Sequence, residues 1–588
     1  MAKGWHWDGE TPRAESRRKV RDMTLDLWSW LLALSPLALL LVLMIVRNWG
    51  AAEAGALSWL ATASIAALAF GMSLRDIGMQ SVKGAMDALT IVYIIWPAIL
   101  IYEITREADA FRPLQRGITR LLPHPLLQVM AFGWVFASFL QGITGFGVPI
   151  AVCAPLLVSI GVRPVHAVFI ALIGHAWNNT FGTLAAAWVG LKQVTDLSPG
   201  EEALTALQAS VLLWIVNIAA GLVICWMYGR ARGVSEGLTA VALISLAHGG
   251  LGLVLSQWDD TLNGFLAALA GFVLIFGLGR LPMYRRSSAV RASPMFAGSA
   301  PSSGRAGGTG SGEDAATGTP SSGGRRAAPA TGVGLTGGRE AEASTTAREM
   351  PLGTAFLPYT ALLGITLVIL LIPPIERTLG GISVGLGFPP FTTGLGYATP
   401  AETSEMAVFT HAGTFLLAAA VVTYLCYARM RYLAKGAWKR ALARTADKAI
   451  GATIAVLALV SMAAVMQGSG QASTLAQGVA DWTGGVYILL APFIGLFGTF
   501  ITGSNLSGNL LFGPLQQTTA TAAGLSGPAV LSGQTAGGAL GAIISPSKVL
   551  LGTTTAGVSG REGEVLRMAL PVTLLLTAVI GAVVFFFA

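Results

Sequence analysis

The sequence contains little charge. Among its 588 residues, 37 are Lys or Arg and 29 are Asp or Glu, so that only 11% of the chain is charged. A typical soluble domain carries about a quarter charged residues. Hydrophobic residues make up 53% of the chain. This composition excludes an ordinary soluble enzyme and a nucleic-acid-binding protein, and it predicts a multi-pass protein of the cell membrane whose surroundings are the lipid bilayer.

Cysteine is scarce as well. Cys153, Cys225 and Cys426 each lie in an apolar stretch without a CxxC pattern. They are therefore predicted to be small buried side chains rather than disulfide or metal ligands. The sequence also has no zinc-ligand spacing, no Ser/His/Asp arrangement and no nucleotide-binding glycine loop. We expect no metal, no cofactor, no catalytic residues and no enzymatic activity.

Apolar runs recur along the whole chain. The regular runs are 27–46, 55–73, 86–102, 126–141, 164–190, 204–228, 237–255, 262–280, 355–373, 407–427, 447–467, 484–502 and 565–588. Runs 143–160, 507–523 and 528–546 are interrupted by Gly, Pro, Ser and Thr. Irregular backbone at membrane depth is tolerated only where protein or a water-filled cavity shields it. The pattern predicts an all-α membrane protein with roughly 12–16 membrane-entering helices, some of them broken or re-entrant.

The charge pattern divides the chain into four parts. Residues 1–26 form a basic segment expected in the cytoplasm, and 27–280 form an N-terminal transmembrane half. Residues 281–350 are rich in Gly, Ser, Ala and Thr, which predicts a disordered cytoplasmic loop. Residues 351–588 form the C-terminal transmembrane half.

The loop 103–124 does not fit this topology. Its arginines favour the cytoplasm, as do the basic residues of loop 429–448. Three spans precede loop 103–124, so a cytoplasmic N-terminus would place it outside. Either the acidic residues of this loop offset its arginines, or one early segment does not cross the membrane.

Two regions interrupt apolar spans with small residues, hydroxyls and amides, one in each half. The first is 139–155, and the second comprises 498–509 and 533–548. Paired interruptions of this kind are typical of transporter binding sites, because the N-terminus of a half-helix exposes free N–H groups that attract an anion. The alternative is close packing of helices through small residues. That alternative explains the glycines but not the amides Asn505, Asn509 and Gln534.

Ionisable residues at membrane depth are the other candidates for function. His175 is followed by Asn178 and Asn179, and Glu405 stands at the start of the apolar run 407–427. Lys548 follows Pro546 in the second interrupted region. Each has an ordinary alternative role, since a lone histidine often only packs and a lysine near a helix end often extends to the membrane interface.

Three strings resemble the signatures of the L-lactate permease family of bacterial membrane transporters. They are FLQGITGFGVPIA at 139–151, FITGSNLSGN at 500–509 and AGGALGAIISP at 536–546. The resemblance implies two inverted halves with hairpins. It also implies proton symport of L-lactate, D-lactate or glycolate across the cytoplasmic membrane, so that the expected partners are a small monocarboxylate and protons.

This chain departs from the family pattern at charged positions. The family has glutamate at the position of Gln141, aspartate at Asn505, lysine at Ala542 and asparagine at His175. Gln and Asn cannot carry a coupling proton. We therefore expect His175, whose side chain titrates near neutral pH, to carry the proton, with Glu405 as second candidate. Lys548 is expected to replace the lost positive charge.

The predicted binding site consists of backbone N–H groups, hydroxyls, amides and one cation. Its residues are Gln141, Thr144, Gly145, Thr502, Ser504, Asn505, Ser507, Asn509, Ser545 and Lys548. The nearest alternative function is a related carrier of another organic anion, or one with different or no ion coupling. A cation/proton antiporter is disfavoured, because the interrupted regions have no carboxylate for a bare cation.

Overall fold

The structure is a computed structural model, and most of the chain is described in it. The described residues are 27–47, 49–145, 147–285, 288, 290, 293–296 and 350–587. The predicted N-terminal segment 1–26 and most of the predicted loop 281–350 lie outside them. In the described part, ten helical segments are long and apolar enough to cross a membrane. The predicted all-α multi-pass architecture is thus confirmed.

The N-terminal half contains ten main helices and one short helical turn. They are α1 (Leu27–Ile45), α2 (Ala51–Leu68), α3 (Leu74–Glu107), α4 (Phe111–Leu121), α5 (Pro125–Ile143), α6 (Val148–Ser159), α7 (Pro164–Ala176), α8 (Gly182–Gln193), α9 (Pro199–Leu255), α10 (Asp260–Leu278) and the turn α11 (Pro282–Arg285). The predicted spans 204–228 and 237–255 are two arms of α9, which bends at Gly229 and Arg230. The predicted span 164–190 is broken into α7 and α8.

The C-terminal half contains eleven helices and two small β-hairpins. They are α12 (Leu352–Ala355), α13 (Leu357–Leu371), α14 (Pro373–Gly380), β1 (Ser383–Phe388), β2 (Phe391–Thr392), β3 (Ala398–Thr399), β4 (Glu402–Ala407), α15 (Ala412–Arg429), α16 (Ala437–Ser469), α17 (Gln471–Thr483), α18 (Tyr487–Thr502), α19 (Asn505–Ala522), α20 (Gly527–Ile544), α21 (Pro546–Thr555) and α22 (Glu562–Phe585). Strand β1 pairs antiparallel with β4, and β2 with β3.

The end of α3 and the start of α16 lie on the same face of the protein. Lys448 Nζ is 2.5 Å from Glu103 Oε1, and Arg440 is 2.7 Å from Glu107. The end of α10 reaches this face too, since a Cβ on Gly279 would lie 2.6 Å from Leu122. The basic loops 103–124 and 429–448 therefore share one face, here called the basic face, and the positive-inside rule makes it cytoplasmic.

Helix α2 ends on the opposite face, next to the β-hairpins. The Gly71 carbonyl accepts a 2.8 Å hydrogen bond from Gly394 N. Helix α1 runs antiparallel to α2 and starts on that same face, because the connection between them is short. Because α1 starts on the outer face, the three crossings of α1, α2 and α3 place loop 103–124 in the cytoplasm, as its arginines favour. The predicted cytoplasmic segment 1–26 lies outside the described residues, so its location stays a prediction.

This topology predicts which engineered cysteines react with a membrane-impermeant maleimide in intact cells. Leu74→Cys, at the start of α3 on the outer face, is expected to react. Trp49→Cys, between α1 and α2, is expected to react only after permeabilisation, as is the control Ala434→Cys in the basic loop before α16. The reverse pattern for Leu74 and Trp49 would show that only two of the first three helices cross.

Two helical hairpins enter the protein from opposite faces. In hairpin 1, α5 and α6 run antiparallel from the basic face and turn at Gly145 and Gly147. In hairpin 2, α18 and α19 run antiparallel and turn at Gly503, with the Gln516 side chain donating to the Ala491 carbonyl across the pair at 3.0 Å. The breaks predicted at 139–155 and 498–509 are thus hairpin tips, and the one predicted at 533–548 is the break between α20 and α21.

Close helix packing builds the framework around the hairpins. The most extensive helix pair is α3 with α16, and a Cβ on Gly84 would lie 2.5 Å from the Ser461 Cα. Glycine is required there because the two backbones touch. Hydrogen bonds from Trp96 to Thr453 and from the Ser461 hydroxyl to the Ser81 carbonyl add polar contacts. Small residues and interhelical hydrogen bonds are the usual means of helix association in lipid.

Candidate functional site

A polar cavity of about 290 Å³ lies where the four interrupted segments meet. These segments are the tips of hairpins 1 and 2, the break between α7 and α8, and the break between α20 and α21. The cavity is lined by Gln141, Gly147, Asn179, Gly182, Thr183, Ala186, Ala187, Lys448, Gly503, Ser504, Asn505, Leu506, Ser547, Lys548 and Leu551. Of the predicted site residues, Gln141, Ser504, Asn505 and Lys548 line it.

The tip of hairpin 1 packs directly against the break between α7 and α8. Gly145 has φ +38°, and a Cβ there would lie 2.0 Å from Thr183 Oγ1. A Cβ on Gly182 would lie 2.7 Å from the Gln141 carbonyl. Because both glycines leave room for this contact, Gln141 sits at the cavity wall. Its side-chain amide has no hydrogen-bond partner among the described residues, so it is available to a ligand.

The break between α7 and α8 contains a left-handed turn made of residues with side chains. Thr183, Leu184 and Ala185 have φ angles of +56°, +47° and +61°. For L-residues this conformation costs about 1–2 kcal/mol each. All three are buried, and the surrounding packing holds the turn in place. Strain of this kind concentrates at binding and catalytic sites, and here it brings the Thr183 hydroxyl to the cavity.

Helices α19 and α21 both begin at the cavity. Their N-cap residues, Ser504 and Ser545, make no side-chain capping hydrogen bond. The N–H groups of a first helical turn have no partner within the helix, and the helix dipole adds partial positive charge at this end. Two uncapped N-termini facing one cavity therefore favour an anionic ligand.

Lys548, in the first turn of α21, supplies a full positive charge. Its side chain lines the cavity. Within the described part of the chain no carboxylate forms an ion pair with it. The Ser547 hydroxyl beside it is held by the Ser545 hydroxyl at 3.2 Å. A carboxylate entering the cavity would therefore meet a cation whose charge is not already compensated.

Lys448 lines the cavity at its cytoplasmic opening, and its ammonium group already forms an ion pair with Glu103. Its ammonium group lies 2.5 Å from Glu103 and 4.7 Å from the Tyr102 ring centroid. The Glu103 side chain has no exposed surface, and Arg106 and Arg444 stand 3.6 Å and 3.8 Å away. Burying an unpaired carboxylate would cost several kcal/mol. The positive charges of Lys448, Arg106 and Arg444 therefore compensate the buried Glu103 carboxylate. Since Lys448 lies at the basic face, the cavity opens toward the cytoplasm.

The amide nitrogen of Asn505 links three segments of the site by hydrogen bonds. Nδ2 donates to Thr180 Oγ1 at 3.2 Å and to the Thr535 carbonyl at 3.3 Å. These bonds join hairpin 2 to the α7–α8 break and to α20. A carboxylate has no N–H to donate. An aspartate at this position could accept from the Thr180 hydroxyl but could not donate to the Thr535 carbonyl unless it were protonated, so the asparagine suits this packing.

The remaining predicted binding residues lie around the cavity rather than in its wall. Gly145, Thr502 and Ser545 shape the tips and breaks, and the Thr502 hydroxyl donates to the Gly498 carbonyl at 2.8 Å. Thr144 Oγ1 donates to the Leu140 carbonyl at 2.9 Å. Behind the wall, Asn509 Nδ2 donates to the Ala187 carbonyl at 3.0 Å and to Thr535 Oγ1 at 2.9 Å. Ser507 is buried one turn into α19.

The two proton-coupling candidates lie in different environments. His175 is buried near the end of α7, where Nδ1 lies 2.5 Å from the Ala171 carbonyl. It does not line the cavity, but its helix α7 packs against α21, which carries Lys548. Glu405 is not at the start of a membrane span as predicted. It is exposed in β4, opposite Gly385, because the helix begins only at Ala412.

Four polar side chains of the cavity were missed as binding residues: Asn179, Thr183, Ser547 and Lys448. The pattern at 175–180 marked Asn179 as part of a polar patch, but nothing local indicates that Thr183 adopts a left-handed turn. Ser547 stands next to Lys548 and shares the signal of the interrupted segment. Lys448 reaches the cavity from α16, far away in sequence, so only the tertiary structure shows its position.

Comparison with known proteins assigns the chain to a family. Residues 29–284 and 340–588 match the family model of L-lactate permease. The L-lactate permease of Halalkalibacterium halodurans is 26% identical over 91% of this chain and 92% of that protein. The L-lactate permease of Escherichia coli strain K12 is 25% identical, with 88% of each chain covered. Glycolate permease GlcA of the same strain is 26% identical over 94% of this chain and 95% of its own.

One solved structure shows a more remote likeness. The YdaH transporter of Alcanivorax borkumensis is 14% identical over 85% of both chains, with a TM-score of 0.39. The family assignment does not depend on it, because the family model matches most of the sequence on both sides of the loop 281–350. The resemblance seen in the three signature strings is confirmed, and this multi-pass membrane protein belongs to the L-lactate permease family.

Proposed function

We propose that this protein carries L-lactate, or a similar small 2-hydroxy-monocarboxylate such as D-lactate or glycolate, across the cytoplasmic membrane. The observation that carries the proposal is Lys548, a cation that no described carboxylate pairs with, in a cavity of about 290 Å³. The uncapped starts of α19 and α21 reinforce its charge. Relatives named for L-lactate and glycolate support this choice of anion.

The cavity offers separate contacts for the two ends of such a substrate. Lys548 and the first-turn N–H groups of α21 would bind the carboxylate, because charge-assisted hydrogen bonds are the strongest available there. The Gln141 amide and the hydroxyls of Thr183 and Ser504 would bind the 2-hydroxyl. These groups donate and accept, and so they suit a hydroxyl that does both.

Proton coupling is proposed to arise from repulsion between His175 on α7 and Lys548 on α21, two helices that pack against each other. With the cavity empty, a proton on His175 would stand near the uncompensated charge of Lys548. A bound carboxylate neutralises Lys548 and removes that repulsion, so anion binding and proton binding at His175 would favour each other. Such linkage is reciprocal by thermodynamic necessity, and it gives symport without a carboxylate at Gln141 or Asn505.

Uptake of radiolabelled L-lactate into proteoliposomes tests the proposal. With an inward proton gradient, we expect accumulation above the equilibrium level and competition by D-lactate and glycolate. Pyruvate, which has no 2-hydroxyl, should compete less well. Uptake that only equilibrates would leave the anion assignment standing and refute the coupling. Absence of lactate uptake by protein that still shows the family fold would refute the substrate and indicate another organic anion.

A further inference from the structure

A second cavity, which shares no lining residue with the transport site, opens on the outside of the helix bundle. It has a volume of about 580 Å³ and lies between α7, α9 and α22. Its walls are apolar and include Phe169, Leu222, Met227 and Val572. It lies at the cytoplasmic end of these helices, because α7 and α22 begin there and the first arm of α9 ends there. We call it the interfacial groove.

Two basic side chains line the cytoplasmic end of the groove. Arg230 lies with its guanidinium carbon 5.5 Å from the centroid of the Trp226 ring, and it is exposed. His166 lines the same groove from α7, and its Nδ1 is buried without a hydrogen-bond partner in the described part of the chain. Arg230 likewise forms no ion pair with a described carboxylate. Two donors at one end of an apolar groove suit a ligand with an anionic head and an apolar tail.

The backbone at Arg230 supports a role for this side chain. Arg230 has φ +54° at the bend between the two arms of α9. Glycine adopts this conformation without strain, and Gly229 is its neighbour, yet an arginine stands at the strained position. Residues kept in such conformations are often functional. Here the bend directs the guanidinium over Trp226, toward the groove.

We propose that the interfacial groove binds one anionic phospholipid, with its phosphate between Arg230 and His166 and an acyl chain along Phe169, Leu222 and Val572. The position along the helices fits, since Arg230 and His166 lie at the cytoplasmic ends of the first arm of α9 and of α7, where a headgroup would lie, and the apolar walls extend from there along the helices. Basic pockets between membrane helices on the cytoplasmic side bind anionic headgroups in this manner. A soluble anion would leave the apolar walls without a partner.

Native mass spectrometry of the full-length protein tests the proposal. The purified protein is mixed with equal amounts of phosphatidylglycerol and phosphatidylcholine, and the bound lipid is counted. We expect one retained phosphatidylglycerol. Arg230→Gln should weaken its binding about fivefold. The matched control Arg232→Gln, an exposed arginine two residues along the chain that does not line the groove, should bind as the parent does.

A second variant tests the apolar part of the groove. Val572→Trp fills the groove without changing charge and should also prevent retention, with its thermal stability measured to confirm folding. Inorganic phosphate alone should not raise the melting temperature. Equal retention of both lipids, or parent-like binding by Arg230→Gln, would overturn the proposal. A dimer that Val572→Trp dissociates would also overturn it, since a second copy of the chain would then cover the groove.

Discussion

Lys548→Met is expected to lower the affinity for L-lactate roughly 10- to 100-fold, the equivalent of losing one hydrogen bond to a charged group. Methionine keeps the length and the apolar stem of lysine, so the shape of the cavity is preserved while the charge is lost. The remaining N–H groups at the starts of α19 and α21 supply only partial charge. The measurement is the concentration dependence of labelled lactate uptake, or of lactate-induced thermal stabilisation of the purified protein.

Lys439→Met is the matched control for this prediction. Lys439 is exposed at the start of α16 on the basic face and does not line the cavity, so its replacement removes the same charge without affecting binding. Lys548→Arg should retain part of the affinity because it keeps the charge. Unchanged lactate affinity in Lys548→Met would show that the helix N-termini alone bind the substrate.

His175→Gln is expected to abolish proton-driven accumulation of lactate while leaving exchange of lactate for lactate largely intact. Glutamine can keep the hydrogen bond to the Ala171 carbonyl but cannot gain a proton between pH 5 and 8. The binding contacts of the cavity would remain. The measurement compares gradient-driven uptake at pH 5.5 and 8 with counterflow in proteoliposomes that have no gradient.

His411→Asn provides the control for the loss of a histidine. His411 caps α15 on the outer face, where its Nδ1 accepts from Gly413 N at 3.2 Å, and asparagine is also a good N-cap residue. This variant should accumulate lactate as the parent does. If His175→Gln keeps the parent pH dependence, then the proton is carried by another group or transport is uncoupled. A loss of counterflow as well would indicate a damaged fold.

Much of the site could be predicted from the sequence, because irregular backbone in a membrane is restricted to shielded positions. The glycines, hydroxyls and amides around Gln141 and Ser504 are not typical of uninterrupted transmembrane helices. They therefore indicated broken helices that line a cavity. The break after Ser545 similarly marked Lys548. These are local signals of composition, and the three-dimensional structure brings Gln141, Ser504 and Lys548 to the lining of one cavity.

Other predictions failed where the answer depended on contacts between distant segments. The run 407–427 looked apolar from its start, yet the chain before His411 pairs as β1 with β4 and leaves Glu405 in an exposed strand. The conflict over loop 103–124 was resolved by the ion pairs of Glu103 and Glu107 with α16. A sum of local charges cannot reveal such pairing.

The amino-acid sequence by itself determined that this is a multi-pass membrane protein of the L-lactate permease family with interrupted helices in both halves, since hydropathy and glycine-rich strings are properties of short segments. The tertiary structure alone decided that the hairpins enter from opposite faces, that Thr183 and Lys448 reach the cavity, and that His175 lies behind its wall. Those facts depend on how helices far apart in the chain pack together, and packing is set by shape complementarity over the whole molecule.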